Sequence, residues 1–237
     1  MTDNHRVLVS ASILNADFSR LDRVVHKMER SGADRLHLDV MDGHFVDNIT
    51  FGPDVVAAFR RLTELPLDVH LMISQPARYM ERFLEAEPET VTFHVEAEAA
   101  AERTTSAIEA IHAAGAEAGL AVSPDTPVDA VDPWLSELDL IMIMSVYPGW
   151  GGQGFIPETA PKIAQARAKL AAASRGGLVH VDGGVSSKTA QIVGSHGIDV
   201  CVVGSALFKR GRDAADEVER VKELALLGFE SNTAGAR

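Results

Sequence analysis

The 237-residue sequence predicts an α/β fold, a single (β/α)8 barrel of the TIM type, on three observations. Eight short apolar, β-branched runs recur at roughly one per 30 residues, and segments of helical period separate most of them. Several runs end in glycine-containing turns that carry His, Asp or Ser. A βα unit of that size cannot bury its own apolar face, so the units must share one core. An open doubly wound sheet would need a Gly-rich turn after the first strand, and Ser10-Ala11-Ser12-Ile13-Leu14-Asn15 offers none.

Taken in order, the expected strands are Val7–Ser10, Arg35–Val40, Leu67–Met72, Thr90–Val95, Glu117–Val122, Asp139–Val146, Leu178–Asp182 and Val200–Gly204. The first helix is read from Leu21, Val24, Val25 and Met28, spaced i, i+3, i+4 and i+7, with Gly32 as its stop. Further helices are expected over Pro53–Leu62, Pro76–Ala86, Ala99–Ala114, Thr159–Ala173 and Lys188–His196, with another in the connection Val128–Leu138. No Pro-, Gly- or Ser-rich linker divides residues 1–237, and only the polar tail from about residue 230 reads as loose.

A net charge of −12 leaves no basic stripe for phosphate backbones and argues against a nucleic-acid partner. The longest apolar stretch, Leu138 to Val146, contains Asp139 and is far too short to span a bilayer, so no membrane partner is expected. The N-terminus carries Asp3 and only a short apolar run, unlike a signal peptide. The single cysteine, Cys201, lies in Val200-Cys201-Val202-Val203 and reads as a small buried hydrophobe, which suits a cytoplasmic location.

Chemistry concentrates where strands should end. In Arg35-Leu36-His37-Leu38-Asp39-Val40-Met41 the polar residues alternate, so His37, Asp39 and Met41 share a face. One such pair is ordinarily a solvated strand edge. The pattern recurs, however, with His70 and Met72 in the third strand and with Asp182 at the end of the seventh. Active sites of barrels lie at the carboxyl ends of their strands, so His37, Asp39, His70 and Asp182 converge on one rim. Two imidazoles and two carboxylates suit a divalent metal cation, Zn²⁺ first, with Fe²⁺, Mn²⁺ or Co²⁺ as alternatives. His94 and His180 also lie in strands and are expected to stand outside that set. Met41, Met72, Met142 and Met144 should cluster at the same level.

A second constellation is glycine. Tyr147-Pro148-Gly149-Trp150-Gly151-Gly152 follows the sixth strand, Gly183-Gly184 the seventh, and Gly204-Ser205 the eighth, just before a helical segment. Glycines let backbone N–H groups approach an anion closely, and barrels often bind phosphate after strands seven and eight.

These stretches carry a specific resemblance. Ser10-Ala11-Ser12-Ile13-Leu14, Leu38-Asp39-Val40-Met41-Asp42-Gly43-His44-Phe45-Val46, Asp68-Val69-His70-Leu71-Met72, Pro148-Gly149-Trp150-Gly151-Gly152-Gln153 and Val181-Asp182-Gly183-Gly184-Val185 together resemble the ribulose-phosphate 3-epimerase family. The resemblance implies a sugar-phosphate isomerase of carbohydrate metabolism and the pentose phosphate pathway. It would interconvert D-ribulose 5-phosphate and D-xylulose 5-phosphate through an enediolate. It makes His37, Asp39, His70 and Asp182 the metal ligands, with Asp39 and Asp182 as the acid/base pair. Substrate contacts are implied for Ser10, His70, Met41, Met72, Met144, Gly149, Trp150, Gly151, Gly152, Gly183, Gly184, Gly204 and Ser205, and a homo-oligomer is expected.

The chain departs from the family pattern at Ala11, Asn15, Asp47, Tyr147 and Trp150. The last two keep open a six-carbon ketose phosphate such as D-allulose 6-phosphate. A non-catalytic sugar-phosphate-binding barrel is the other alternative. Related decarboxylases and aldol synthases resemble an Asp-x-Lys-x-x-Asp pattern, and Asp39-Val40-Met41-Asp42 lacks the lysine.

Overall fold

The computed structural model describes residues 5–98, 100–173 and 175–235. Asp3, the expected helix start at Ala99 and the last two residues of the tail lie outside that set. Eight parallel strands close into a barrel in sequence order. They are β1 (Leu8–Ser12), β2 (Arg35–Met41), β3 (Leu67–Met72), β4 (Thr90–His94), β5 (Glu117–Val122), β6 (Leu140–Met144), β7 (Leu178–Asp182) and β8 (Val200–Val203). Around them run α1 (Leu21–Arg30), α2 (Pro53–Arg60), α3 (Pro76–Leu84), α4 (Ala101–Ala113), α5 (Ala160–Ala172), α6 (Ala190–Ser195) and α7 (Ala214–Gly235). None of the described helices is long and apolar enough to cross a membrane.

The core sits between barrel and helices. Leu36, Leu38 and Val40 face outward from β2 onto Val24, Val25 and Met28 of α1 and Val56 and Phe59 of α2, all within one buried apolar cluster. Because side chains alternate along a strand, this leaves His37, Asp39 and Met41 for the interior.

Four expectations need correction. Strand β1 runs two residues past Ser10, because Ser12 pairs with His37 of β2. Strand β6 stops at Met144 and begins after Asp139, whose carboxylate accepts from His112 and from the Ala118 N–H, fixing a turn there. The connection after β5 is a 3₁₀ segment, Val128–Trp134, that contains Pro133, a residue without the N–H an α-helix needs. The tail from residue 230 continues α7 to Gly235 instead of lying loose.

Unusually for a barrel, part of the interior below the mouth is polar, beside an inward apolar cluster that includes Ala121, Leu140, Met142 and Val202. His37, Asp68, His70, Thr92, His94 and His180 are all fully buried. At the base, the Arg35 guanidinium donates to Glu117 at 3.0 Å. His180 stands above it with neither ring nitrogen hydrogen-bonded. Burial, reinforced by Arg35 and His37 against the opposing pull of Asp68, pushes its pKa down to about 4 from the ordinary 6.5.

The folded chain therefore holds His180 neutral where the unfolded chain takes up a proton. Stability is complete above pH 6.5 and is lost as pH falls toward 4, by about 3 kcal/mol for this one residue. Urea unfolding from pH 7.5 to 4.5 should show a shallower decline in His180→Leu than in the wild type. Parallel declines would contradict it.

Candidate active site

The register of β2 against β3 sets His37 opposite Asp68, Asp39 opposite His70 and Met41 opposite Met72. Parity turns all six inward, and β7 ends on Asp182 at the same rim. The Asp39 Oδ1 atom lies 3.4 Å from His37 Nε2 and 3.5 Å from His70 Nδ1. Asp182 Oδ2 lies 3.6 Å from His70 Nδ1 and 4.0 Å from His37 Nε2. The four candidate ligand atoms all fall within 4.8 Å of one another.

Both of those imidazole nitrogens are buried without a hydrogen-bond partner. An orphaned buried nitrogen is costly, and here two of them face the oxygens of two acids. Four donors at about 2.0–2.2 Å from a tetrahedral Zn²⁺ would stand about 3.4 Å apart, so the donor set and its spacing fit a divalent cation. Burial alone would raise the Asp39 carboxyl, but the His37 and His70 rings outweigh it and hold Asp39 far below the carboxylate range. Burial likewise opposes a proton on His37, and Asp68 and Asp39 overcome it to raise His37 well above its usual value. The cluster favours positive charge at its centre.

Three of the four ligand candidates, Asp39, His37 and His70, are gripped from behind. Ser12 Oγ donates to Asp39 Oδ2 at 2.7 Å. The Nδ1 atom of His37 meets Asp68 Oδ2 at 2.9 Å, and Ser10 Oγ donates to the same oxygen at 2.7 Å. His70 Nε2 meets His94 Nε2 at 3.0 Å, and His94 Nδ1 meets Glu96 Oε2 at 3.1 Å. Burial would raise the Glu96 carboxyl, but hydrogen bonds led by the one from His94 bring it down to about 2. His94 was expected outside the set and instead touches one of its members.

A cavity opens above the cluster. Asp39 and Asp182 form part of its lining, with Met41, Met72 and Met144 beside them. Gly149, Trp150, Gly151, Gly152, Gly183, Gly184, Gly204 and Ser205 complete much of the wall. Two expected substrate contacts are not on it. Ser10 is fully buried and committed to Asp68, because β1 extends far enough to bring Ser12 to the mouth. His70 is fully buried beneath the cavity. Met142 shares its inward face with Met144 but sits one layer deeper, away from the lining.

Sequence reasoning missed Ser12, Leu14, Asn15 and Gln153, which also line the cavity. Ser12 was findable, since it shares the parity of Ser10 and precedes a loop. Asn15 was not, because its place depends on a close approach between loops: a Cβ on Gly151 would come 2.4 Å from Asn15 Oδ1. Gly184 is equally constrained, with φ of +65° and a Cβ position 2.4 Å from the Phe155 nitrogen. Tyr147 turns away and donates its hydroxyl to Asp125.

Residues 8–208 match the model of the ribulose-phosphate 3 epimerase family. Over 92% of its length the chain is 42% identical to a ribulose-phosphate 3-epimerase of Rhodobacter capsulatus, covering 93% of that protein. It is 44% identical to the enzyme of that name from Bacillus subtilis strain 168, covering 85% of this chain and 92% of the relative. Among solved structures, 3-hexulose-6-phosphate synthase from Salmonella typhimurium superposes with a TM-score of 0.71 over 94% of this chain and all of that one. At 17% identity this is a likeness of fold alone.

Proposed function

The chain belongs to the ribulose-phosphate 3-epimerase family, a family of isomerases, and on that footing we propose that it interconverts D-ribulose 5-phosphate and D-xylulose 5-phosphate. The observation that carries the reading is the buried cluster of His37, Asp39, His70 and Asp182, with its two unpartnered imidazole nitrogens. These four residues would hold a divalent cation, Zn²⁺ by donor type, with Fe²⁺, Mn²⁺ or Co²⁺ as alternatives. Such an ion supplies Lewis-acid stabilisation, worth several kcal/mol, of the negative charge that develops on the C2 oxygen.

Inversion at C3 requires a proton to leave one face of the sugar and another to arrive on the opposite face. Asp39 from β2 and Asp182 from β7 both border the cavity, and the two intervening strands, β8 and β1, separate their approaches. In this reading each takes the C3 proton of one epimer and the other returns a proton to the far face of the planar enediolate. Ser12 fixes the rotation of the Asp39 carboxylate through its bond to Oδ2. Met41, Met72 and Met144 supply a polarizable wall that excludes water from the intermediate.

The phosphate belongs, in the same reading, at the glycine rim formed by Gly149–Gly152, Gly183–Gly184 and Gly204–Ser205. No Lys or Arg is among the residues lining the cavity, so backbone N–H groups must do the binding in a chain of net charge −12. Behind Gly204 there is only a short 3₁₀ turn, Ser205–Phe208, instead of a full helix start. The six-carbon alternative now draws on Trp150 alone, because the Tyr147 hydroxyl is engaged outside the cavity.

Chelation should abolish epimerisation of ribulose 5-phosphate, and Zn²⁺, Mn²⁺, Fe²⁺ or Co²⁺ should restore it. Asp39→Asn and Asp182→Asn are each expected to lose about 10²–10⁴-fold in kcat/KM, with metal content measured beside the rates. One-sided exchange of the C3 hydrogen with D₂O is expected to survive in each. Near-normal turnover in either metal-loaded variant, or in metal-free enzyme, would sink the mechanism.

Gly204→Asp tests the phosphate site. A Cβ there meets Ser12 Cβ at 3.5 Å, an ordinary contact, so the cavity has room for it and the new carboxylate repels the phosphate; ψ of −98° at Gly204 suits glycine better than aspartate, so the melting temperature is measured beside KM. KM should rise at least about tenfold, by a like-charge cost of 1–2 kcal/mol, and an unchanged KM would move the phosphate elsewhere.

A further inference from the structure

We infer that Glu96, acting through His94, positions His70 for the metal by deciding which nitrogen of the His70 ring carries its proton; the inference rests on the metal reading above. The geometry leaves little freedom. His70 and His94 meet nitrogen to nitrogen at 3.0 Å, with ring centroids 5.1 Å apart and planes within 21°. That is an edge-to-edge approach along a hydrogen bond, so one Nε2 must carry a proton and the other must present its lone pair.

Glu96 breaks the tie. Its ionised carboxylate only accepts, and Oε2 lies 3.1 Å from His94 Nδ1. Its other oxygen is already anchored by the Ser123 N–H at 2.8 Å. His94 therefore donates from Nδ1 and accepts at Nε2. His70 in turn donates from Nε2, which leaves the lone pair of Nδ1 facing Asp39 and Asp182. His94 is fully buried, with the Phe45 ring packed at 4.8 Å, so water does not compete for the bond. The Ser123 hydroxyl, 3.5 Å from the same Nδ1, is a weaker second partner.

His37 is served differently. Its carboxylate, Asp68, touches the ring directly at Nδ1, so Nε2 faces the cluster. One ligand is thus oriented by an acid and the other by an acid speaking through a second imidazole. Outer partners of this kind typically govern metal affinity by about 10–100-fold. Glu96 and His94 are positioning residues, since neither is in the cavity lining.

Glu96→Gln keeps the size and adds an NH₂ donor, which can hold His94 in the opposite tautomer and drive the His70 proton onto Nδ1. Zn²⁺ affinity, measured by competition with a chromophoric chelator, should weaken by about 10–100-fold, with the metal-free melting temperature close to wild type. In ¹H–¹⁵N spectra of the Zn²⁺-loaded wild type, His70 should be protonated at Nε2 and His94 at Nδ1. This second measurement needs no variant to fold. A wild-type His94 protonated at Nε2, or unchanged Zn²⁺ affinity and unchanged ring protonation in Glu96→Gln, would overturn the inference. A wild type that takes up no Zn²⁺, Mn²⁺, Fe²⁺ or Co²⁺ would overturn the metal reading itself, and this one with it.

Discussion

Two carboxylates and two imidazoles converge within 4.8 Å at the floor of a barrel mouth, with His37 and His70 wholly removed from solvent. Such a set is unfavourable to bury unless something positive sits among the acids. Much of the surrounding structure can be understood as meeting that demand. Asp68 and Ser10 steady one imidazole, Glu96 and His94 the other, and Ser12 the central acid. The interior is consequently polar on the side of β2, β3 and β4, while Ala121, Leu140, Met142 and Val202 fill the side of β5, β6 and β8, and the main apolar core lies in the outer layer between strands and helices.

This division depends on strand parity. A register slip of one residue would turn Leu36, Leu38 and Val40 into the barrel and His37 and Asp39 into the helix layer. Closure by eight paired neighbours forbids such a slip in any single strand, because each strand is hydrogen-bonded on both sides. The helices need only shield the outer face, and their boundaries are correspondingly looser than those of the strands.

That asymmetry explains what was legible in the sequence. His37, Asp39, His70 and Asp182 could be brought together from alternation and the rule that barrel chemistry sits at strand ends. The glycine turns could be assigned to the same rim. Ser10 was placed one layer too high because a strand's last residue is set by pairing, here Ser12 with His37, and not by its own composition. The roles of Asp68, His94 and Glu96 were hidden, since they depend on which side chains meet across neighbouring strands. Asn15 was hidden too, since it reaches the cavity through contact between two loops. The segment after β5 failed for a local reason, the proline inside it.

Strand β7 alone contributes both to the acid cluster and to the glycine rim, and it does so with consecutive residues, Asp182 and Gly183. A single peptide unit therefore sets the separation between a proposed proton carrier and a proposed phosphate contact. Gly183 cannot be exchanged for a residue with a side chain, because at a φ of +117° a Cβ would lie 2.8 Å from the backbone nitrogen of Val146. In the proposed reading the pair works as a fixed ruler laid along the substrate. Selection for longer or shorter sugars would have to act on side chains elsewhere in the cavity wall, such as Trp150, and leave the ruler untouched.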